Sequence, residues 1–273
     1  MLKSKYSERI LDQCPVDYFL SANDGARVKW PFRMQPTDEA SPSYSKISKK
    51  YAIDSAIMKP ELGNEEAITE AIRLEADYLL LADYLPFDVY WKSFDENTPE
   101  ERKELVRSLE EKYSDNYNAS LESIKNGIEL VKKSNFEGEV WVPLQKPHIE
   151  MYKDLNEPDN VAIGGIKDDS NRKKVEYSKN FRNFVGDDVY IHALGVGVTD
   201  EVAKMIRENP KCLNSIDSQT PMATANNMEY MNGQERMTPT SLHCLAYLFE
   251  DCRKMTNLVE ENISEEVGSV FDY

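Results

Sequence analysis

The chain alternates short apolar runs with longer amphipathic patterns, and this alternation limits the folds that it can adopt. Seven runs have the length and residue types of strands, and several are apolar almost throughout. Strands of that kind are buried on both faces of a parallel sheet. The runs are VDYFLSA (16–22), YAID (51–54), ADYLLLAD (76–83), EVWVPLQ (139–145), NVAIGGI (160–166), DVYIHALGVG (188–197) and LNSID (213–217).

Helical patterns fill most of the segments between these runs. In the first of them, Ile68, Ala71, Ile72 and Ala76 share the face that we expect to be buried. The segment 31–50 has the least regular pattern, so we expect it to form a loop. The predicted helices cover 65–76, about 100–133 with Thr98 as its N-cap, a segment opened by Thr199, and a tail over 238–265.

Strands that alternate with helices predict a parallel sheet, either doubly wound or closed into a (β/α)8 barrel. Seven candidates are one strand short of a complete barrel. In both architectures the catalytic groups stand at the carboxyl ends of the strands. One aspartate there commonly caps a helix, but several carboxylates can supply a nucleophile, a general acid or base and a hydrogen-bond acceptor. The rule selects Asp54, Asp83, Gln145, Gly164, Gly165, Gly195 and Asp217.

Composition argues against several classes of protein. The chain has 33 basic and 49 acidic residues, and its formal net charge of −16 opposes broad non-specific binding to nucleic acid. No apolar run reaches the ~18–20 residues of a membrane span, and we expect no secretory signal. The four cysteines have no paired spacing, so we expect a cytoplasmic protein, or one in the host cytoplasm if it is viral.

Motifs for metals and phosphates are weak. His243, Cys244 and Cys252 have suitable chemistry, but they lie in an amphipathic pattern, and the chain has no Cys-x-x-Cys pair. The GVGVTD segment lacks the spacing of a dinucleotide-binding loop and the lysine of a P-loop. His192 lies inside a strand pattern and is interpreted as a packed core histidine. We therefore expect no metal and no cofactor, with zinc as the less favoured alternative.

Several segments match the motifs of one enzyme superfamily in order and in spacing. They are YFLSANDGARVKW, YAIDSAIM (51–58), LGNEEAITEAIRLEADYLLLAD (62–83), VWVPLQ (140–145), VAIGGI (161–166), IHALGVGVTDEV (191–202) and NSIDSQTP (214–221). Over about 16–227 the chain thereby resembles the tRNA-guanine transglycosylases, which exchange guanine for a 7-deazaguanine in a nucleic acid. The resemblance implies a TIM-like (β/α)8 barrel, irregular or one strand short, as a single catalytic domain over 1–273 with a C-terminal helix.

The resemblance also implies a role for each matched residue. Asp217 attacks C1′ of the target nucleoside to form a covalent Asp-ribosyl intermediate, and Asp54 shuttles the proton of the exchanged base. Asp83 accepts hydrogen bonds from N1–H and the exocyclic amine of guanine, while Gln145 and the Gly165 amide address O6. The remaining base-binding positions are Ser55, Gly164, Leu194 and Gly195.

Three departures from the family pattern direct the choice of substrate. The zinc motif that helps the tRNA enzymes to hold tRNA is absent, Ala56 and Ile57 replace the glycines after Ser55, and the strand expected before Asp54 is not evident. The chain therefore looks most like the branch that inserts a derivative such as 7-cyano-7-deazaguanine (preQ0) into DNA, which can shield phage DNA from restriction. The alternatives are tRNA exchange for queuosine or archaeosine, a non-catalytic nucleic-acid-binding paralogue, and an unrelated barrel lyase or hydrolase.

The expected partners follow from this reading. They are DNA, with tRNA as the alternative, a free 7-deazaguanine base, and a second copy of the chain or another protein, with no membrane. Because the chain is acidic overall, binding to a polyanion requires a local basic surface. The candidates for that surface are Arg27, Lys29, Lys167, Arg172, Lys173 and Lys174.

Overall fold

A computed structural model describes residues 5–21, 28–55, 63–83, 117–164, 169–225 and 240–256. Eight parallel strands close into a barrel in chain order, with helices around them, which confirms the (β/α)8 architecture. The seven predicted strands are all present. The strands are β1 (Asp17–Ser21), β2 (Phe32–Pro36), β3 (Lys50–Asp54), β4 (Tyr78–Leu80), β5 (Glu139–Leu144), β6 (Asn160–Ile163), β7 (Tyr190–Ala193) and β8 (Ser215–Ser218).

The eighth strand, β2, comes from the segment that we predicted to be a loop, and that prediction is wrong. Its sequence, FRMQP, alternates polar and apolar side chains, yet its first four residues are buried. The guanidinium of Arg33 lies 4.3 Å from the centre of the Tyr44 ring, and Tyr51 Oη donates a 2.8 Å hydrogen bond to Gln35 Oε1. An aromatic ring and a hydroxyl group contact these two buried polar side chains, whose polarity hides from the sequence that the strand is buried on both faces.

The helices follow the predicted pattern with local differences. Thr199 caps its helix by accepting a hydrogen bond from the Val202 amide. Ile72 is 39 % exposed and not buried as predicted, because the buried face of its helix follows Ala67, Ala71 and Leu74, and Ile72 lies beside that face. Thr98, the first part of the long helix and the tail beyond 256 lie outside the described residues. The helices are α1 (Lys5–Gln13), α2 (Pro42–Ser45), α3 (Asn64–Arg73), α4 (117–133), α5 (His148–Asp154), α6 (Asn171–Val185), α7 (Asp200–Glu208), α8 (220–225) and α9 (Thr240–Met255).

The chain forms two compact units, Met1–Phe32 with Asp168–Tyr273 and Arg33–Lys167. In the first unit β1 pairs with β8, and α9 packs against the β1 region. Trp30 donates its indole N–H to the Tyr18 carbonyl at 2.6 Å and meets the Phe249 ring edge-on at 5.2 Å. Tyr18 Oη donates to Asp251 Oδ2 at 3.3 Å, so a polar contact links the buried strand to the tail helix.

The second unit contains β3 to β6 and the helices that connect them. Tyr78 stacks on Trp141 of the next strand, with 4.6 Å between ring centres. Asp77 accepts a 2.7 Å hydrogen bond from the Tyr51 amide, which joins the starts of β3 and β4. These contacts fix the register of the strands whose carboxyl ends carry Asp54 and Asp83.

Candidate active site

The residues selected by the strand-end rule occupy the positions expected of them. Each stands within or just after the carboxyl end of its own strand, where (β/α)8 enzymes carry their catalytic groups. Gly165 lies outside the described residues. Asp54 ends β3 and the buried Ser55 follows it, Asp83 follows β4, Gln145 follows β5, Gly164 follows β6, Leu194 and Gly195 follow β7, and Asp217 lies in β8.

Asp217 is a buried carboxylate with two hydrogen-bond donors on one of its oxygens. The Gly195 amide donates to Oδ1 at 2.7 Å, and His192 Nε2 lies 3.3 Å from the same atom. Gly195 has φ of 62°, a left-handed conformation that glycine adopts without strain. The turn after β7 therefore brings a backbone donor to the carboxylate at the end of β8.

His192 is fully buried in β7, as predicted for a core histidine, but it also contacts the candidate nucleophile. Its Nδ1 lies 2.7 Å from Ser215 Oγ, and its Nε2 faces Asp217. Strand pairing explains the contact, because His192 is level with Ser215, and Asp217 is two residues further along the same face. The register of β7 against β8 is the signal that could have revealed it.

Two side chains of helix α6 form hydrogen bonds with the backbone of the turn at Gly195. Lys174 is buried and donates from Nζ to the Gly195 carbonyl at 2.7 Å. One turn earlier, Asn171 Oδ1 accepts a 3.1 Å hydrogen bond from the Gly197 amide. The same turn is fixed from the strand side by the Val196 amide, which donates to the Asp217 carbonyl at 2.8 Å. Lys174, selected as a nucleic-acid contact, is thus placed inside the protein.

Asp83 and Asp54 form an electrostatically coupled pair in the second unit. Desolvation, and secondarily the negative charge of Asp54, raise the pKa of Asp83 to about 7. Asp83 therefore titrates near neutral pH, although an ordinary aspartate is ionised there. Such a carboxyl group is a candidate for binding chemistry that depends on its charge.

The backbone of Ala82, next to Asp83, is gripped by two side chains that sequence reasoning did not select. Asn64 Oδ1 accepts from the Ala82 amide at 2.8 Å, and Ser123 Oγ donates to the Ala82 carbonyl at 2.9 Å. Asn64 Nδ2 also donates to the Ser123 carbonyl at 3.2 Å. We call this group of three residues the Ala82 latch. It fixes the point where the chain leaves β4 and presents Asp83.

Gln145 and Gly164 have well-defined surroundings of their own. Gln145 is buried, and its backbone N–H donates to Met151 Sδ at 3.1 Å. The Gly164 amide donates to the Leu144 carbonyl at 2.9 Å, and its carbonyl lies 2.9 Å from His148 Nε2. His148 thereby fixes the Gly164 carbonyl at the carboxyl end of β6.

The remaining basic candidates are on the surface where they are described. Lys29 is exposed. Arg172 contacts Glu176 at 2.9 Å and Glu201 at 3.2 Å, and Lys173 Nζ lies 3.6 Å from Asp169. Acidic neighbours therefore offset part of the positive charge in this cluster. Arg27 and Lys167 lie outside the described residues.

Comparisons with known proteins identify no relative of this chain, so its function has to be argued from the site. No protein-family model matches the chain, and a search of curated proteins finds no match. Within the described ranges, no three His, Cys, Asp or Glu side chains are grouped so that they could hold a metal ion. In those same ranges, no helix has the length and apolarity needed to cross a membrane.

Proposed function

We propose that this protein is a transglycosylase that replaces guanine in DNA with a 7-deazaguanine derivative. The observation that carries the proposal is the Asp217 carboxylate, buried and oriented by the Gly195 amide at 2.7 Å in a strand-end position of a (β/α)8 barrel. A nucleophile for a sugar carbon has to be held in one direction, and a backbone donor does so without side-chain entropy.

The first half of the reaction is a substitution at C1′. A carboxylate oxygen of Asp217 forms a bond to C1′ while the bond from C1′ to guanine N9 breaks, and the electron pair leaves with the base. Asp54 is protonated when the cycle begins and supplies the proton that the departing base takes up at N9. The product is a covalent ester between Asp217 and the sugar, typical of nucleophilic catalysis.

The second half reverses these bonds with a different base. A free 7-deazaguanine loses its N9 proton to Asp54 and attacks C1′, and the ester oxygen of Asp217 leaves as a carboxylate. Ionised Asp83 accepts from N1–H and the exocyclic amine, a donor pair that adenine lacks. Gln145 and the Gly165 amide address O6. The protein ends the cycle unchanged, with no co-reactant beyond the incoming base.

Access to such a site requires the target nucleotide to leave the base stack, at a cost of a few kcal/mol. A net charge of −16 does not assist that step, because it repels a polyanion over most of the surface. We therefore propose that DNA contacts are confined to a local basic surface or are helped by a second protein.

The test is base exchange in vitro with purified protein. Guanine-containing DNA is incubated with 7-cyano-7-deazaguanine, and the DNA is digested to nucleosides for mass spectrometry. Asp217→Asn is expected to lower exchange by about 10,000-fold or more and to abolish the protein–DNA adduct on denaturing gels. It should retain the melting temperature and the thermal shift that the free base produces, because the proposal assigns base recognition to other residues.

The outcomes separate the alternatives. Exchange in tRNA but not in DNA would reject the DNA assignment. Binding of 7-cyano-7-deazaguanine without exchange in either nucleic acid would indicate a non-catalytic paralogue. No thermal shift with the base and no exchange would point to an unrelated barrel enzyme. Full activity of Asp217→Asn would reject Asp217 as the nucleophile.

A further inference from the structure

The two oxygens of the Asp217 carboxylate have different surroundings. The Gly195 amide and His192 Nε2 both contact Oδ1, at 2.7 and 3.3 Å. Oδ2 receives no hydrogen bond from any side chain or amide in the described part of the chain. The asymmetry matters because an oxygen that accepts two hydrogen bonds is a poorer nucleophile than one whose lone pairs are unengaged.

The direction of the hydrogen bonds through His192 follows from its neighbours. An ionised carboxylate only accepts, so Nε2 must carry a proton towards Asp217. A neutral imidazole then has a lone pair at Nδ1, and the Ser215 hydroxyl, 2.7 Å away, must donate to it. Ser215 is fully buried, so bulk water does not compete for its hydroxyl in the folded structure. The Asp217 carboxylate therefore selects the tautomer with its proton on Nε2, and Ser215 stabilises that tautomer by donating to Nδ1.

Packing keeps the imidazole in this orientation. His192 is fully buried, and the Phe19 ring meets it edge-on with 6.0 Å between ring centres. The same trio of serine, histidine and carboxylate occurs in hydrolases, where the serine attacks the substrate. Here the buried serine cannot reach a substrate, and the carboxylate is the more exposed end. The relay is thus directed from Ser215 towards Asp217.

We propose that His192 is a positioning residue of the exchange reaction: with the Gly195 amide it anchors Oδ1 of Asp217, and Oδ2 is the oxygen that bonds to C1′. The inference rests on the proposed function. As the Oδ2–C1′ bond forms and the C1′–N9 bond breaks, the carboxylate loses its charge. When the ester is cleaved, the negative charge returns to the Asp217 carboxylate. The two hydrogen-bond donors on Oδ1 then stabilise this charge without having to move.

Two substitutions separate the effect of the His192 hydrogen-bond donor from the effect of the volume of its ring. His192→Phe keeps a planar ring but has no donor, whereas His192→Gln retains an amide N–H that can reach Oδ1. In single-turnover experiments with guanine-containing DNA, we expect His192→Phe to slow adduct formation by about 100-fold and His192→Gln by about tenfold or less. Binding of 7-cyano-7-deazaguanine, followed by thermal shift, should stay within about twofold of wild type in both.

His243→Phe is the matched control, because His243 lies on helix α9 and not on the strands β7 and β8 that carry this relay, and it should react like wild type. An unslowed His192→Phe, or equal slowing of both His192 variants, would overturn the proposal, since the donor would then have no role of its own. A second measurement needs no turnover. The 15N shifts of His192 in the wild-type protein should report a proton on Nε2, and a proton on Nδ1 alone would overturn the proposal.

Failure of the proposed function would look different. A wild-type protein that forms no adduct and binds no 7-deazaguanine would reject the transglycosylase, while the tautomer measurement would still test the His192–Asp217 geometry. A wild-type protein that forms the adduct while His192 donates elsewhere would reject only the positioning role.

Discussion

At the residue scale, the charge of Asp83 distinguishes this site from a set of ordinary strand-end carboxylates. Its pKa of about 7 comes first from desolvation and then from the charge of Asp54. In the proposed function Asp83 must be ionised to accept from the two N–H groups of guanine. Recognition of the base therefore becomes sensitive to pH in the neutral range, because protonation removes an acceptor.

We predict that affinity for 7-cyano-7-deazaguanine falls as pH falls. Between pH 8 and pH 6 the ionised fraction of a group with pKa about 7 drops about tenfold, and the dissociation constant measured by calorimetry should rise by about the same factor. Asp54→Asn removes one cause of the raised pKa, so the change should move to lower pH. A dissociation constant that is flat over this range would contradict the role given to Asp83.

The strand-end rule selected Asp54, Asp83 and Asp217 as candidate site residues, because a polar residue that ends an apolar run can be recognised in the sequence alone. It did not identify Asn64, whose role depends on helix α3 meeting the end of β4. His192 was recognised as buried but not as a partner of Asp217, since that contact is set by strand register. A residue that acts by contacting another functional residue can be found only when the spatial contacts between elements are known.

At the scale of elements, the Ala82 latch connects two helices to one strand end. Asn64 begins α3 and Ser123 lies in α4, and the two side chains form hydrogen bonds with the amide and the carbonyl of Ala82. A carbon added at Gly127 of α4 would lie 2.8 Å from the Asn64 side chain, so glycine gives that side chain its space. The two helices thus position Asp83 through hydrogen bonds to the backbone of Ala82, the residue before it.

We predict an inverted response to alanine at Gly127. Glycine to alanine inside a helix ordinarily stabilises a protein by about 0.5–1 kcal/mol. Here Gly127→Ala should destabilise by about 1–2 kcal/mol in urea unfolding, because it displaces Asn64 and leaves the Ala82 amide without its acceptor.

Asn64→Ala is the companion variant and should destabilise by a similar amount, because it removes the same acceptor. In the Asn64→Ala background, Gly127→Ala should regain the ordinary stabilising effect, since no side chain is left to displace. A stabilising Gly127→Ala in the wild-type background would show that the latch does not depend on this contact.

The strands show where sequence patterns succeed and where they fail. Hydropathy located seven strands, because most of them are apolar along most of their length. It missed β2, in which Arg33 and Gln35 are 1 % and 2 % exposed and are held by aromatic and hydroxyl partners. The resemblance supplied the barrel that the incomplete strand count left open.

At the scale of the whole molecule, two carboxyl groups with raised pKa values alter the dependence of stability on pH. Burial raises the pKa of Asp251 to about 7, as desolvation does for Asp83. A carboxyl group whose pKa is higher in the folded state stabilises that state below its folded pKa, and this contribution is lost as pH rises through it. The folded state is therefore favoured as pH falls from 8 to 6.

We predict that the free energy of unfolding is about 2 kcal/mol greater at pH 6 than at pH 8, as measured in urea. Most soluble proteins show little change or the opposite trend between these values, because their carboxylates are stabilised in the ionised form. The double variant Asp83→Asn, Asp251→Asn should lose most of this dependence. A wild-type protein that is less stable at pH 6 would contradict the prediction.

The pairing of β1 with β8 has a consequence for synthesis. Asp17 lies opposite Ser215, so β1, which is translated before the other seven strands of the barrel, has no partner at this edge until β8 is made. The unit Arg33–Lys167 is one continuous stretch and can be translated completely before that pairing is possible. Distant pairing of this kind slows folding and leaves a strand edge open to other chains. The nascent protein therefore has its greatest need of chaperones before β8 emerges.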